Sequence, residues 1–185
     1  MRLLLALLAI PAFAADYSLQ LTPDNTKIDW TLGDVLHTVH GTFRLKHGAI
    51  TFDPDTGKAA GEIVVDVQSG ESGSGARDHR MHANVLESAK YPEAVFTPDR
   101  IEGKLSLERP STVKLHGTFR IHGAAHELTM DVQTKPASDQ LNADITFSIP
   151  YVAWGMKDPS TFLLKVNKSV QMAIHTTAPL RKPGP

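Results

Sequence analysis

Apolar and polar residues alternate along most of this chain, as they do in β-strands with one buried and one exposed face. The alternation is clearest in two distant stretches that share the sequence HGTFR, residues 39–45 and 115–121. Further alternating runs cover residues 28–32, 63–67, 101–107, 128–132, 141–149 and 170–174. Turn-forming sequences separate many of these runs, and short connections favour antiparallel hairpins. The pattern predicts an all-β, antiparallel barrel of about eight strands, with a two-sheet sandwich as the alternative.

Each HGTFR stretch places a glycine on the apolar face of its strand, Gly41 in the first and Gly117 in the second. A strand that only fills a core would gain from a bulky β-branched side chain at that position. We therefore expect Gly41, Gly103 and Gly117 to keep a tunnel open beside aromatic rings. The aromatic residues expected to line this tunnel are Trp30, Phe43, Phe96, Phe119, Phe147 and Trp154.

Residues 75–90 break the strand rhythm. Met81, Val85 and Ala89 recur at helical spacing, which predicts a short amphipathic helix near the barrel mouth. Residues 69–75 before it are rich in glycine and serine and predict a flexible tether. We expect Met81 and Val85 of this helix to contact a molecule bound in the tunnel.

The rim of the barrel is expected to carry polar groups. Arg77 and Asp78 at the start of the helix could hold a polar head group, or could form an internal ion pair or cap that pins the helix. His79 follows them, and His37 lies at the start of the first HGTFR strand. The sequence leaves both roles of the Arg77-Asp78 pair open.

The first 14 residues contain one arginine, a short apolar run and an Ala-x-Ala ending. These features predict a secretory signal peptide, a barrel domain over residues 15–178 and a disordered tail over 179–185. The apolar run is too short to span a bilayer of about 30 Å, so we expect a periplasmic or secreted protein without a membrane span. The chain has no cysteine, so its stability depends on packing alone.

The charge balance argues against nucleic acid as a partner. The chain has 19 basic and 20 acidic residues, and removal of Arg2 with the signal peptide gives 18 against 20, a net charge of −2. Transient contact with a membrane or a membrane protein stays open, and the oligomeric state is not indicated.

Candidate catalytic chemistry is weak. Nine histidines suggest a metal site, but the best spacing, His79 and His82, lacks a third ligand in the same segment. No GxSxG nucleophile elbow and no cysteine is present. We therefore expect a binding protein without enzymatic activity or cofactor. The alternatives are a histidine-dependent metal-binding or hydrolytic module, and a filled barrel that acts as a stress-protective scaffold.

Several motifs together resemble the YceI-like family of exported proteins. They are HTVHGTF at 37–43, SGARDHRM at 74–81, YPEAVF at 91–96, VKLHGTFRIHG at 113–123 and IPYVAWGMKDPSTFLLKV at 149–166. The resemblance implies a lipocalin-like barrel that holds a long isoprenoid or similar amphiphilic lipid, with no established catalysis. Many members carry an aromatic pair where this chain has Val85-Leu86.

Overall fold

Nine β-strands form one antiparallel sheet in the computed structural model, which describes residues 16–33, 37–162 and 164–182. The strands are β1 (Tyr17–Leu21), β2 (Thr26–Gly33), β3 (Thr38–Phe52), β4 (Ala59–Glu71), β5 (Glu93–Glu102), β6 (Ser111–Ile121), β7 (Ala124–Ala137), β8 (Gln140–Ile149) and β9 (Val170–Arg181). Both HGTFR stretches lie in strands, the first in β3 and the second in β6. The expected signal peptide, residues 1–14, lies outside the described residues.

The sheet closes into a barrel because β3 pairs with β2 on one side and with β4 on the other. The first half of β3 pairs with β2 and the second half with β1, and both partners also pair with β9. Strands β1 and β2 thus lie end to end and together occupy one strand position of the barrel. The result is a closed barrel with eight strand positions, which confirms the predicted fold class and rules out the sandwich.

Two strands exchange their inward and outward faces partway along their length. In β3 the register shifts between Leu45 and His47, and the buried positions change from Leu45 to Gly48 and Ile50. In β5 it shifts between Pro98 and Arg100. A bulge adds one residue to a strand, and one extra residue moves every later side chain to the opposite face.

The helical segment follows β4. Helix α1 (Gly75–Arg80) runs directly into a π-helical turn over Met81–Val85. Among the helices of the described residues, none is long and apolar enough to cross a membrane.

Four boundaries differ from the sequence-based expectation. The helical segment ends at Val85, so Ala89 lies in a turn and not in the helix. The alternating run at 101–107 is not a strand, because β5 ends at Glu102 and Gly103 has a φ of +101°. The expected tether over 69–75 begins inside β4, which ends at Glu71. The expected disordered tail begins inside β9, where Pro179 pairs with Gln140 and Leu180 with Leu19. Sheet pairing on both edges orders these residues more than their composition indicates.

Candidate ligand cavity

A cavity of about 590 Å³ occupies the interior of the barrel. This volume lies in the range of about 300–1,000 Å³ that is typical of small-molecule sites. Most of its lining is apolar side chains from the inward faces of the strands. Among the expected ligand contacts, the lining includes Trp30, Phe43, Met81, Val85, Phe96, Phe119 and Phe147.

One end of the cavity is closed by buried side chains. Leu19, Phe52 and Leu141 line this end and are all less than 10% exposed. The polar side chains there are satisfied within the fold: Thr176 Oγ1 lies 3.0 Å from Thr26 Oγ1 and donates to a main-chain carbonyl at 3.0 Å. A ligand at this end therefore meets an apolar wall with no unpaired charge. We call this region the closed end.

The opposite end, which we call the mouth, is bordered by α1, the π-helical turn and the segment of residues 150–169 between β8 and β9. Met81, Val85 and Leu86 line the cavity from the helical side. Tyr151, Met156, Pro159, Leu164 and Val166 line it from the 150–169 segment. The alternating pattern did not indicate these loop residues, because they lie outside any strand.

His82 fixes the helical segment to β4. Its Nε2 lies 2.8 Å from Gly70 O and its Nδ1 lies 3.0 Å from Ser88 Oγ. Since a carbonyl oxygen only accepts hydrogen bonds, Nε2 donates to Gly70 O, and Nδ1 shares a second hydrogen bond with the Ser88 hydroxyl. Both ring nitrogens of His82 are thus engaged within the fold. Within the described residues no group of three or more His, Cys, Asp or Glu side chains is placed to hold a metal ion.

The expected Arg77-Asp78 pair forms its contacts through Ser72. Arg77 donates to Ser72 Oγ at 2.7 Å and to Ser72 O at 2.9 Å, and Ser72 Oγ donates to Asp78. This arrangement supports the pinning role, although Arg77 also lines the cavity. Arg80, which sequence reasoning missed, lines the cavity as well, and its guanidinium makes no hydrogen bond or ion pair with any other described residue.

The inward glycines do not leave empty space, so that expectation is wrong. A Cβ on Gly41 would lie 2.3 Å from the Trp30 ring and 2.1 Å from Glu71 O. A Cβ on Gly117 would lie 2.8 Å from the Phe96 ring and 2.3 Å from Thr97 O. The glycines therefore admit close packing of an aromatic ring and a neighbouring strand. It is these rings, and not the glycines, that line the cavity.

Gly103 is also outside the cavity lining, because it lies in the turn after β5.

The expectation that Trp154 lines the cavity is also wrong. Its indole stacks on His126, with ring centroids 4.1 Å apart, and lies 6.1 Å from Phe119. Trp154 thus packs against Phe119, which lines the cavity, but does not line the cavity itself. Trp154 lies beside Phe119 and His126 because residues 150–155 pack against the mouth ends of β6 and β7.

The remaining rim residues lie outside the cavity lining. His37 and His79 are exposed. Asp78 is half-buried and faces Ser72. The mouth also contains Tyr151, which donates to Asn167 O at 2.7 Å. Burial, followed by the nearby Asp158 carboxylate, raises the pKa of Tyr151 to about 12, so this hydroxyl stays protonated at neutral pH.

The described geometry matches a known family. A family model for the YceI-like domain matches residues 19–178 of the chain. The chain belongs to the YceI-like family. No curated protein sequence matches it significantly.

Solved structures of similar fold include BcnA of Burkholderia cenocepacia, at 18% identity and a TM-score of 0.68 over 83% of this chain and 96% of that one. A polyisoprenoid-binding domain from Saccharophagus degradans matches at 13% identity and a TM-score of 0.65, over 90% of this chain and 98% of that one. The YceI protein of Campylobacter jejuni matches at 18% identity and a TM-score of 0.64, over 78% and 86%. At these identities the likeness shows the fold.

In this YceI-like barrel the Tyr91-Pro92 motif has a clear packing role. The Tyr91 ring lies 4.5 Å from the His122 ring and covers Gly123, where a Cβ would lie 2.8 Å from the tyrosine. His122 also meets Glu87 at 2.7 Å. The motif therefore joins the end of the helical segment to the turn between β6 and β7.

Proposed function

We propose that this protein binds a long-tailed isoprenoid or a similar amphiphilic lipid inside its barrel, outside the cytoplasm, and stores or transports it without catalysis. The observation that carries this proposal is the cavity of about 590 Å³, whose described lining is mostly apolar and has its charged side chains, Arg77 and Arg80, at the mouth. The Saccharophagus degradans relative is described as a polyisoprenoid-binding domain, which supports the same ligand class here.

The arrangement of polar groups indicates how an amphiphile would lie. The tail would extend towards Thr176 and Leu141 at the closed end, where no charge is exposed to the cavity. A polar or anionic head group would lie at the mouth, within reach of Arg77 and Arg80. Of these two, Arg80 is the stronger candidate, because Arg77 already donates to Ser72.

Burial of the tail supplies ample free energy for retention. An isoprenoid tail that buried on the order of 500 Å² would gain about 12 kcal/mol before association costs, at about 25 cal/mol per Å². We therefore expect the ligand to survive gentle purification.

The test is mass spectrometry of an organic extract from protein purified from its native host. We expect a species with a long hydrocarbon tail at near-stoichiometric amount. An extract of folded, native-source protein without any such species would overturn the proposal.

Two leucine substitutions at buried alanines sharpen this test. Ala143 lines the cavity, whereas Ala178 is 0% exposed and lies outside the lining. Ala143→Leu adds volume where the tail would lie, so we expect lower lipid content and little change in the unfolding of the delipidated protein. Ala178→Leu overpacks a filled region and should cost about 1–3 kcal/mol, with lipid binding retained by the folded fraction.

A further inference from the structure

The mouth carries an exposed apolar tip. Phe162 is 93% exposed and Leu164 is 37% exposed, and these are the large hydrophobic side chains that the described residues expose to solvent. Single exposed apolar residues are ordinary on protein surfaces, but these two lie in one loop. Leu164 also lines the cavity, so the apolar surface continues from the tip of the loop into the barrel.

Hydrogen bonds join described residues on the two sides of the tip. Thr161 N donates to Leu164 O at 2.8 Å, and Leu164 N donates to Thr161 Oγ1 at 3.1 Å. Val166 N donates to Ser160 Oγ at 3.0 Å, at the base of the same turn. The fold therefore leaves Phe162 exposed between residues that hydrogen bonds hold together.

Basic residues predominate in the segment that carries the tip. The 150–169 segment contains Lys157, Lys165 and Lys168 against a single acidic residue, Asp158. Across the mouth, α1 adds Arg77 and Arg80 against Asp78, whose carboxylate accepts from Ser72. The two segments together carry five basic and two acidic residues, although the whole chain has a formal net charge of −1. Within these two segments positive charge exceeds negative charge at the opening of the cavity, although Glu71 and Glu87 lie at the same end of the barrel.

We propose that the mouth docks on the surface of a bilayer containing anionic lipids, with Phe162 and Leu164 inserted among the head groups. Apolar side chains flanked by lysine and arginine are the usual composition of an interfacial membrane anchor. A stable protein partner would need about 800 Å² of complementary surface, and a two-residue tip offers far less. Rim cations and an apolar tip both match an anionic bilayer.

This docking would place the cavity opening against the membrane, so that a lipid could pass between the two without crossing water. This consequence for transfer rests on the proposed function, whereas the docking itself does not. The docking is therefore measured with delipidated protein and vesicles that contain no isoprenoid.

The experiment is co-sedimentation with phosphatidylcholine vesicles prepared with or without phosphatidylglycerol. We expect binding to the anionic vesicles and little binding to pure phosphatidylcholine. Phe162→Ser combined with Leu164→Ser should weaken binding about tenfold or more, and so should Lys157→Glu combined with Lys165→Glu. The matched control is Lys104→Glu with Lys135→Glu, which makes the same charge change on exposed lysines at the closed end and should leave binding unchanged.

The outcomes separate the two proposals. The docking would be overturned if wild-type protein did not co-sediment with anionic vesicles. It would also be overturned if the Phe162/Leu164 double variant bound them as well as wild type. Equal losses from the closed-end control would also overturn it, because net charge alone would then explain the attraction. Ala143→Leu should still dock normally while it carries less lipid. Docking by wild-type protein whose native extract contains no long-chain species would uphold this inference and overturn the proposed function.

Discussion

The closed end and the mouth of this barrel are built from different kinds of structure. The closed end consists mainly of strand residues whose side chains are buried and whose hydroxyls are paired, as with Thr26 and Thr176. The mouth consists of a short helix, a π-helical turn and a long segment between strands. It contains exposed cations and the exposed Phe162.

The difference shows how the barrel separates stability from exchange. Regions with few buried contacts and many irregular hydrogen bonds open locally at lower free energy than sheet cores. A lipid bound as proposed would therefore enter and leave through the mouth while the closed end keeps the barrel assembled. Substitutions at the two ends should accordingly affect different measurements.

The largest expected loss of stability comes from the inward glycine of β6. In Gly117→Ala the new Cβ would lie 2.3 Å from Thr97 O and 2.8 Å from Pro98 Cα, so main chain has to move. We expect the free energy of unfolding to fall by about 1–3 kcal/mol in urea titrations of delipidated protein.

Gly75→Ala at the mouth is the matched control for Gly117→Ala. A Cβ on Gly75 meets no atom within 4 Å. This change should be neutral or should stabilise by up to about 1 kcal/mol, because alanine restricts the unfolded chain. If Gly117→Ala proved as stable as this control and lost its lipid instead, the glycine would open ligand space after all.

A smaller loss is expected at the closed end from Thr176→Val. The change removes the hydroxyl that donates to Asn25 O, although that carbonyl keeps a second donor in Thr177 N at 3.0 Å. We expect about 1 kcal/mol lower stability by urea titration and an unchanged rate of lipid release. Faster release with unchanged stability would contradict the assignment of this end as closed.

At the mouth, polar substitution of the helical lining should act mainly on kinetics. Met81→Ser with Val85→Ser removes apolar cover at the opening, and neither residue is fully buried. We expect lipid release to accelerate about tenfold in a vesicle-transfer assay, with a smaller effect on the melting temperature. Ala83→Ser, on the exposed side of the same turn, is the control. An unchanged rate of lipid release together with a large drop in melting temperature would show that Met81 and Val85 act as core residues and do not control the opening.

The last expected effect is absent at neutral pH, because it is a pH dependence at Tyr151 that arises only in alkaline solution. Its pKa of about 12 in the folded protein exceeds the value of 10.0 for an unperturbed tyrosine. Between these values the folded state keeps a proton that the unfolded state loses, so the stabilising contribution is complete below pH 10 and is lost as the pH rises towards 12.

Tyr151→Phe should therefore flatten the fall of stability between pH 10 and 12 relative to wild type. The difference between the two proteins cancels the titration of other groups, and unfolding titrations at several pH values measure it. Identical slopes in this range would show that the hydroxyl is not buried as described.

Local pattern predicted the barrel well and the mouth poorly. Inward positions such as Ile28, Leu128 and Phe147 followed from period-two alternation, because side-chain direction along a strand is a local property. The bulge after Leu45 was not visible, since one extra residue leaves no composition signal. Arg80 was missed as a lining residue for a similar reason, because its role depends on where the helix rests against the opening.

The sequence by itself determined most of the strands, the apolar face of each strand up to any bulge and the region where the helix interrupts them, because these depend on neighbours within a few positions. Only the tertiary structure decided what each position meets. Trp30 and Phe96 lie over Gly41 and Gly117 because consecutive strands pair at a particular register, which their loops and bulges set. Phe162 is exposed beside the opening because closure of the barrel brings the 150–169 segment to the end where α1 lies, and no spacing along the chain encodes that meeting.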